Sequence, residues 1–370
     1  MKKTKCSFLA TLFFLSCLTV SPTTFAADED FQAYVQQQNK QFGSFIEDQE
    51  KDYAAYKAEV MAKWGEFIGS TKKVWVDYGA DKDTRSQVDF ESGKVSLSVL
   101  VPKDEKNPKE AAAEKIKQQL KRMMSNQWPT GTNILANQIS VGEKKTLSPK
   151  NVDDFVRERL RKKLMISSKL IPQKAAPPER VVSVQVQMVP DHLKIRAERY
   201  KPIVLKYSKE RNIDPTIVFG VIHTESYFNP MARSHVPAFG LMQLVPASGA
   251  ADAYRHVYHE KKKPSAKYLY NPENNINLGV AYLDLTKNVY FKGVKNPAIA
   301  YLMTIAAYNT GAGNVARAIC GKTNLKQAVK RANSMTTKEV HTALENKLPY
   351  KETQDYVQRV FRRAKIYRGL

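Results

Sequence analysis

Residues 217–243 read IVFGVIHTESYFNPMARSHVPAFGLMQ, a run in which a helix, a helix stop and a loop follow one another. Asp214 and Pro215 precede the run and provide an N-cap side chain and a residue suited to the first helical turn. Apolar residues then recur at spacings of three and four, namely Ile217, Val218, Val221 and Ile222. This spacing predicts a helix with one apolar face against a core, which stops at Asn229 and Pro230.

Glu225 falls on the apolar face of this helix, four residues after Val221 and three after Ile222. The helix alone leaves two interpretations open. Charged residues on helices are usually solvated or paired, and Glu225 can be a structural residue of that kind. Alternatively, burial raises the pKa of a carboxyl group, and a carboxyl group that keeps its proton at neutral pH can act as a general acid on a glycosidic oxygen.

A set of residues at fixed spacing favours the second interpretation: Glu225, Ser226, Phe228, Asn229, Pro230, Ala232, Ser234, Gly240, Leu241, Met242 and Gln243. This set resembles the signature of the lytic transglycosylases of the soluble, goose-lysozyme-like kind. The resemblance implies that Glu225 is the catalytic residue. It also implies that Ser234 and Gln243 hydrogen-bond the sugar near its acetamido group.

Three later blocks resemble the same family, and they read YNPENNINLGVAYL at residues 270–283, IAAYNTGAG at 305–313 and PYKETQDYV at 349–357. By this resemblance, Tyr308 and Asn309 line the substrate cleft and Tyr356 approaches the catalytic glutamate from the opposite wall. Thr310 stands where the family usually has glycine. The resemblance therefore extends over most of the second half of the chain.

The hydrophobic patterns divide the chain into two predicted domains. Residues 191–370 read as helical throughout, and the resemblance implies a mainly α, lysozyme-like catalytic domain there. Residues 28–190 mix helical and alternating patterns and predict an α+β domain. Its predicted elements are helices over residues 31–68, 108–127 and 152–165, strands over 73–78, 86–90, 95–101 and 182–189, and a loop around Pro172, Pro177 and Pro178.

The predicted α+β domain carries no recognisable catalytic group. It has no histidine, no glycine-rich phosphate loop and no spacing typical of metal ligands. It resembles the amino-terminal domain of the membrane-bound lytic murein transglycosylase C family at Asp83, Thr84, Arg85, Ser86, Asp89, Phe90, Val186, Gln187 and Met188. We therefore expect this domain to have a binding or positioning role.

The first residues of the chain predict export. Three lysines precede an apolar segment over residues 8–20, which is too short for a stable membrane anchor and is followed by small and polar residues. Residues 1–26 therefore predict a signal peptide and a periplasmic location. The FLSC run that ends at Cys17 loosely resembles a lipoprotein box, so an outer-membrane lipoprotein anchored through Cys17 is the alternative.

The chain is strongly basic, with a formal net charge of +23 that becomes +20 when the three lysines of residues 1–26 are removed. Such a charge first suggests nucleic acid, but export argues against nucleic acid as the physiological partner. Peptidoglycan stem peptides carry carboxylates, and the outer membrane and teichoic acids carry phosphates. We therefore expect peptidoglycan strands as the main partner, with outer-membrane association and other cell-wall enzymes as further possible partners.

The resemblance implies cleavage of the β-1,4 bond between N-acetylmuramic acid and N-acetylglucosamine, from chain ends or within strands, to leave a 1,6-anhydro end. Most glycosidases need two carboxylates, whereas Glu225 is the one good candidate in the recognised blocks. One carboxyl group suffices if the substrate supplies the nucleophile, and no metal or cofactor is expected. Two alternatives remain: a hydrolytic lysozyme, and an inactive or weakly active wall-binding scaffold protein.

Overall fold

The computed structural model describes residue 51 and residues 53–125, 133–142, 145–171 and 179–370. The described chain divides into two compact units. Residues 286–354 form one unit, and the other described residues up to residue 285, together with residues 355–370, form the second. Each unit is described by itself below.

The larger unit begins with an antiparallel sheet flanked by helices. Helix α1 covers residues 53–64. The elements that follow are β1 Val74–Tyr78, β2 Thr84–Asp89, β3 Lys94–Pro102, α2 Pro108–Met123, β4 Ser140–Gly142, β5 Lys145–Thr146, α3 Val152–Phe155, β6 Met165–Ile171 and β7 Glu179–Gln187. The main sheet has the order β1-β2-β3-β7-β6, in which every neighbouring pair is antiparallel.

Both faces of the central strand β3 are covered, because its side chains alternate between two cores. Leu97, Val99 and Val101 belong to the core that includes Ile116 and Leu120 of α2. Leu100 belongs to a second core on the other face, which includes Val60, Trp64, Val76 and Tyr78. The sheet is therefore the middle layer between α1 and α2, as expected for an α+β arrangement.

Several predicted elements of this part differ from the structure at their ends. The predicted helix over residues 31–68 ends at residue 64, and residues 31–50 of it lie outside the described residues. The helical stretch that starts at Val152 stops at Lys163, and Met165 begins strand β6, which the sequence patterns did not predict. The predicted proline loop lies outside the described residues. The strands predicted over residues 86–90 and 95–101 are confirmed as β2 and β3, which pair in an antiparallel hairpin.

The larger unit continues with helices, and the helical elements are α4 His192–Arg211, α5 Pro215–Ser226, α6 Gly249–Tyr258, α7 Ala266–Leu269 and α8 Pro272–Asp284. Helix α5 starts as its sequence predicts, since the Asp214 side chain accepts a hydrogen bond from the Thr216 amide at 2.8 Å. Gly220 lets α5 pack closely, because a Cβ atom there would lie 2.7 Å from the carbonyl oxygen of Val360. Any side chain at residue 220, even that of alanine, would therefore force the neighbouring backbone to shift.

The smaller unit is helical, and its helices are α9 Pro297–Thr310, α10 Ala312–Cys320, α11 Leu325–Ala332 and α12 Thr337–Lys347. Side chains of Asn296, Asn324 and Thr336 cap the starts of α9, α11 and α12. The chain then enters α13 Lys351–Ala364.

The prediction of an α+β part followed by a mainly helical part is confirmed. None of the helices in the described ranges combines the length and the apolarity that a bilayer crossing requires.

A buried arginine joins the α+β part to the helices of the larger unit. Arg196 of α4 is 1% exposed, and its guanidinium donates hydrogen bonds to the carbonyl oxygens of Phe90 at 2.7 Å and Tyr227 at 3.1 Å. It also donates to Oε1 of Gln138 at 2.8 Å. Burial lowers the pKa of Arg196 to about 10, so the side chain remains charged at neutral pH. Three separate segments therefore depend on one side chain.

We expect Arg196→Met to lower the free energy of unfolding by about 3 kcal/mol, because buried acceptors on three segments lose their donor. Arg196→Lys should recover only part of this loss, since one ammonium group cannot reach all three acceptors. Urea denaturation of the variants measures the effect. Lys194→Met, at an exposed position of the same helix, is the matched control. A change within the error of that control for Arg196→Met would contradict the prediction.

Candidate active site

The predicted general acid lies in the last turn of α5, where the helix meets the α+β part. Glu225 is 5% exposed, so the burial expected from the helix spacing is confirmed. Its Oε2 atom lies 3.4 Å from Nζ of Lys72, which precedes β1. Immediately after the helix, Tyr227 and Phe228 adopt left-handed conformations with φ of 53° and 59°. These two residues turn the chain sharply out of α5.

The loop after α5 is held against the helix by side chains of its own unit. The Ser226 hydroxyl donates to the carbonyl oxygen of Leu241 at 2.7 Å, which ties the end of α5 to the end of the loop. Asn275 of α8 accepts from the Met242 amide at 2.8 Å and donates to the Phe239 carbonyl at 2.9 Å. The loop backbone around Glu225 is therefore fixed by hydrogen bonds on both sides.

Gly240 is required where this loop passes α8. Its φ is +76°, a conformation that other residues rarely adopt. A Cβ atom there would also lie 2.4 Å from Nδ2 of Asn275. The glycine of the recognised signature therefore has a physical role, since it allows the loop to approach the asparagine that holds it.

The two predicted sugar-binding residues lie on this loop, in the same unit as Glu225. Gln243 is 8% exposed, and its Nε2 donates to the carbonyl oxygens of Ala232 at 3.1 Å and Gly240 at 3.0 Å. Its Oε1 atom is buried and has no hydrogen-bond partner among the described residues. The Ser234 hydroxyl donates to the carbonyl oxygen of Val236 within the loop. Gln243 thus keeps an acceptor available, whereas Ser234 stabilises the loop itself.

The remaining predicted site residues lie further along the chain. Tyr308 and Asn309 occupy the end of α9 in the smaller unit, and the Asn309 side chain accepts from the Thr353 hydroxyl at 2.6 Å. Thr310, in place of the usual glycine, is accommodated because its carbonyl and hydroxyl oxygens both accept from Asn314 Nδ2, at 2.9 and 3.1 Å. Tyr356 is 2% exposed in α13 and belongs to the larger unit, as Glu225 does.

Two further predictions concern features other than the cleft. Cys17 lies outside the described residues. Within the described ranges, no group of three or more His, Cys, Asp or Glu side chains is arranged to hold a metal ion.

The sequence patterns did not predict that residues of the α+β part reach the site. Lys72 contacts Glu225, and its carbonyl oxygen accepts from Asn229 Nδ2 at 3.4 Å. Arg233 of the loop stacks on the ring of Tyr53, with 4.6 Å between its Cζ atom and the ring centroid. Lys72 precedes Glu225 by 153 residues, so no local periodicity links them. In a chain with many lysines, no local signal distinguishes this one.

A buried histidine supports α5 next to Glu225. His223 lies 2.9 Å from the hydroxyl oxygen of Tyr367 through its Nδ1 atom, and Arg363 donates to its carbonyl oxygen at 3.0 Å. The pKa of His223 is lowered from 6.5 to about 3, mainly by burial and further by the positive charges of Arg363 and Arg196. The imidazole is therefore neutral at physiological pH and packs as an uncharged part of the core.

Two family models match adjacent parts of the chain. The model described as "Transglycosylase SLT domain" matches residues 202–330, and the model of the "Membrane-bound lytic murein transglycosylase C, N-terminal domain" matches residues 36–199. Together with the buried glutamate and its fixed loop, these matches define the class of the protein. It is an enzyme of the lytic transglycosylase class, which acts on peptidoglycan.

Similarity to individual proteins narrows this class to one family. Membrane-bound lytic murein transglycosylase C from Serratia proteamaculans is 31% identical over 317 residues, which cover 82% of this chain and 86% of that protein. The Pectobacterium atrosepticum protein of the same name is 30% identical over 323 residues and covers the same shares. The chain belongs to the membrane-bound lytic murein transglycosylase C family.

Solved structures of soluble lytic transglycosylases also match part of the chain. An inactive mutant of Slt from Pseudomonas aeruginosa is 27% identical, with a TM-score of 0.35, over 45% of this chain and 24% of that one. The 70 kDa soluble lytic transglycosylase from Escherichia coli is 26% identical, with a TM-score of 0.35, over 48% and 25% of the two chains. The matched regions make up less than half of this chain and about a quarter of each of those longer chains.

The lowered pKa of His223 predicts a pH dependence of stability. Between pH 6.5 and about 3 the unfolded chain binds a proton on this residue and the folded protein does not. The free energy of unfolding therefore falls as the pH drops through this window, by at most about 1.4 kcal/mol per pH unit from this one group.

We expect His223→Gln to remove this contribution, so that its free energy of unfolding changes less steeply with pH than that of the wild type. Urea denaturation at several pH values between 4 and 7 measures the two slopes. His235→Gln, at an exposed position in the loop, should keep the wild-type slope. Parallel curves for the wild type and His223→Gln would show that the histidine does not contribute.

Proposed function

We propose that this enzyme cleaves the β-1,4 bond between N-acetylmuramic acid and N-acetylglucosamine and leaves 1,6-anhydro-N-acetylmuramic acid ends. The observation that carries the proposal is the buried carboxyl group of Glu225, at the end of α5 and beside a loop fixed by Ser226 and Asn275. A general acid needs such a fixed position next to the oxygen that it protonates.

A single carboxyl group performs both proton transfers in the proposed mechanism. Glu225 protonates the bridging oxygen as the glycosidic bond breaks, and the acetamido group of the substrate stabilises the oxocarbenium-like centre. Glu225, now a carboxylate, then accepts the proton of the muramoyl C6 hydroxyl as that oxygen closes the ring on C1. Water is not consumed, so the reaction is that of a lyase.

The structural roles of other acids in the second half support a single-carboxyl mechanism. Asp284 Oδ2 lies 2.8 Å from His256 Nε2, Asp252 lies 3.0 Å from Arg255, and Glu339 completes the cap at the start of α12. Each of these acids therefore has a local structural partner. A hydrolase would need a second carboxyl group placed roughly 5–9.5 Å from the first to attack or to activate water.

The other predicted site residues are the proposed substrate contacts. The Oε1 atom of Gln243 is a suitable acceptor for the N–H of the acetamido group, because its amide nitrogen is already bound to the loop backbone. We assign Ser234 to the same subsite, while Tyr308, Asn309 and Tyr356 shape the cleft. The reaction as proposed calls for no metal or organic cofactor.

The first half of the chain has a positioning role in this proposal. We retain residues 28–190 as a domain that binds or positions, ahead of a catalytic domain over residues 191–370. We also propose that residues 1–26 direct export to the periplasm. The relatives are named membrane-bound, which favours the alternative of an outer-membrane lipoprotein anchored through Cys17. Peptidoglycan strands remain the proposed substrate, and partnership with other cell-wall enzymes remains a proposal.

Glu225→Gln should lower the rate of release of soluble muropeptides from purified peptidoglycan by at least about a hundredfold, because the amide cannot transfer the proton. Mass spectrometry of the wild-type products should show muropeptides one water lighter than those of hydrolysis. Glu273→Gln is the matched control, since Glu273 is an exposed glutamate that pairs with Lys206 at 3.0 Å. It should retain wild-type activity.

The same experiment separates the alternatives. Products with free reducing ends would replace the transglycosylase mechanism with that of a hydrolytic lysozyme. Release of no products by the wild type, together with retained binding to peptidoglycan, would identify a binding or scaffold protein.

A further inference from the structure

The segment that carries Lys72 is fixed by short-range hydrogen bonds. Residues 68–73, here called the 68–73 turn, form the part of the α1–β1 connection that directly precedes β1. The Tyr78 hydroxyl lies 3.1 Å from the amide of Ile68, which donates to it. The Thr71 amide donates to the carbonyl oxygen of Val74 at 2.7 Å, and the Thr71 hydroxyl accepts from the Val74 amide at 3.0 Å. Lys72 therefore extends from a defined backbone.

The 68–73 turn places an ammonium group at the catalytic carboxyl group. Nζ of Lys72 lies 3.4 Å from Oε2 of Glu225, and the carbonyl oxygen of Lys72 accepts from the Asn229 side chain. The Lys72 side chain is 37% exposed, whereas that of Glu225 is 6% exposed. The lysine thus contacts the buried carboxyl group at one end and is open to solvent along part of its length.

This ion pair conflicts with the proposed first step of the reaction. A neighbouring cation stabilises a carboxylate, whereas a general acid must hold a proton when the substrate is bound. A productive complex therefore requires that the ammonium group be drawn away from Glu225 or be neutralised by another anion. The muramoyl residue next to the scissile bond can supply such an anion, because its lactyl substituent ends in a carboxylate or in a stem peptide that carries carboxylates.

We propose that Lys72 is a substrate-binding residue that exchanges the carboxylate of Glu225 for a carboxylate of the muramoyl substituent. This inference rests on the function proposed above and deepens it. It makes the charge of the substrate a requirement for catalysis, since a neutral glycan leaves Lys72 on Glu225. It also gives the first half of the chain a specific contribution to substrate choice.

The adjacent lysine provides a control within the same turn. Nζ of Lys73 lies 2.6 Å from Oε2 of Glu91 and 5.0 Å from the centroid of the Tyr227 ring. Lys73 therefore has the same charge as Lys72 and almost the same position in the chain, but it pairs with a different carboxylate. A loss of affinity that arises from net charge alone should be equal for the two lysines.

Binding is best measured with the Glu225→Gln protein, which keeps Lys72 but cannot cleave. Three soluble ligands are compared: uncross-linked glycan strands with stem peptides, strands stripped of their peptides by an amidase, and neutral oligomers of N-acetylglucosamine. In this background, Lys72→Met should weaken binding of the peptide-bearing strands on the order of tenfold, the effect of losing one charge-assisted hydrogen bond. Lys73→Met should change this affinity by less than twofold.

The three ligands distinguish the sources of the carboxylate. Weaker binding of the peptide-bearing strands alone assigns the contact to a carboxylate of the stem peptide. Weaker binding of both muramoyl strands shows that Lys72 accepts either a stem-peptide carboxylate or the lactyl carboxylate that the amidase exposes. Unchanged affinity for the neutral oligomers shows that the cleft is still folded. Lys72→Arg should recover part of the lost affinity, since it restores the positive charge.

Two results would overturn the inference. One is a Lys72→Met protein that binds all three ligands as the parent does, and the other is an equal loss for all three ligands. Neither result depends on cleavage. Absence of anhydro products from the wild-type protein would overturn the proposed function instead, because the binding comparison is made with a protein that does not cleave.

Discussion

The buried hydrogen bonds of the Arg196 guanidinium are the interaction on which the fold of the larger unit depends. It is buried in α4 and donates to the carbonyl oxygens of Phe90 and Tyr227 and to the side chain of Gln138. Phe90 follows β2, whereas Tyr227 is the first residue after α5. A buried charge is costly unless its donors are satisfied, so the three acceptors and the arginine must assemble together. The α+β part and the helix that carries Glu225 therefore fold as one unit.

The turn after α5 links the hydrogen bonds of Arg196 to the position of the candidate active site. Tyr227 and Phe228 both have positive φ, which is unfavourable for bulky residues and persists only where the surroundings fix it. Arg196 and Arg363 hold the backbone and the side chain of this turn, through the Tyr227 carbonyl oxygen and hydroxyl group respectively. Neutral His223 fills the core beside it, which removes the need for another buried counterion. The position of Glu225 follows from these contacts.

Much of the site could be predicted from the sequence because its elements are local. Helix α5, its cap at Asp214 and the burial of Glu225 follow from spacing within fewer than twenty residues. Strand β6 could not be predicted, because the helical pattern continues to Met165 and pairing with a distant strand overrides it. The contact of Lys72 with Glu225 could not be predicted either, because side-chain spacing within one element carries no information about its partner in another. Long-range packing decides both.

The two halves of the chain therefore contribute different kinds of residue to the candidate active site. The sequence of the first half carries no recognisable catalytic motif, yet its 68–73 turn and α1 bring Lys72 and Tyr53 to Glu225 and Arg233. A reaction that uses one carboxyl group depends strongly on the charges next to that group, since no second carboxyl group shares the proton. In the mechanism that we propose, the first half of the chain controls the reaction through the placement of a single cation, Lys72. The high positive charge of the chain acts at long range, whereas Lys72, on a hydrogen-bonded turn, lies at the site itself.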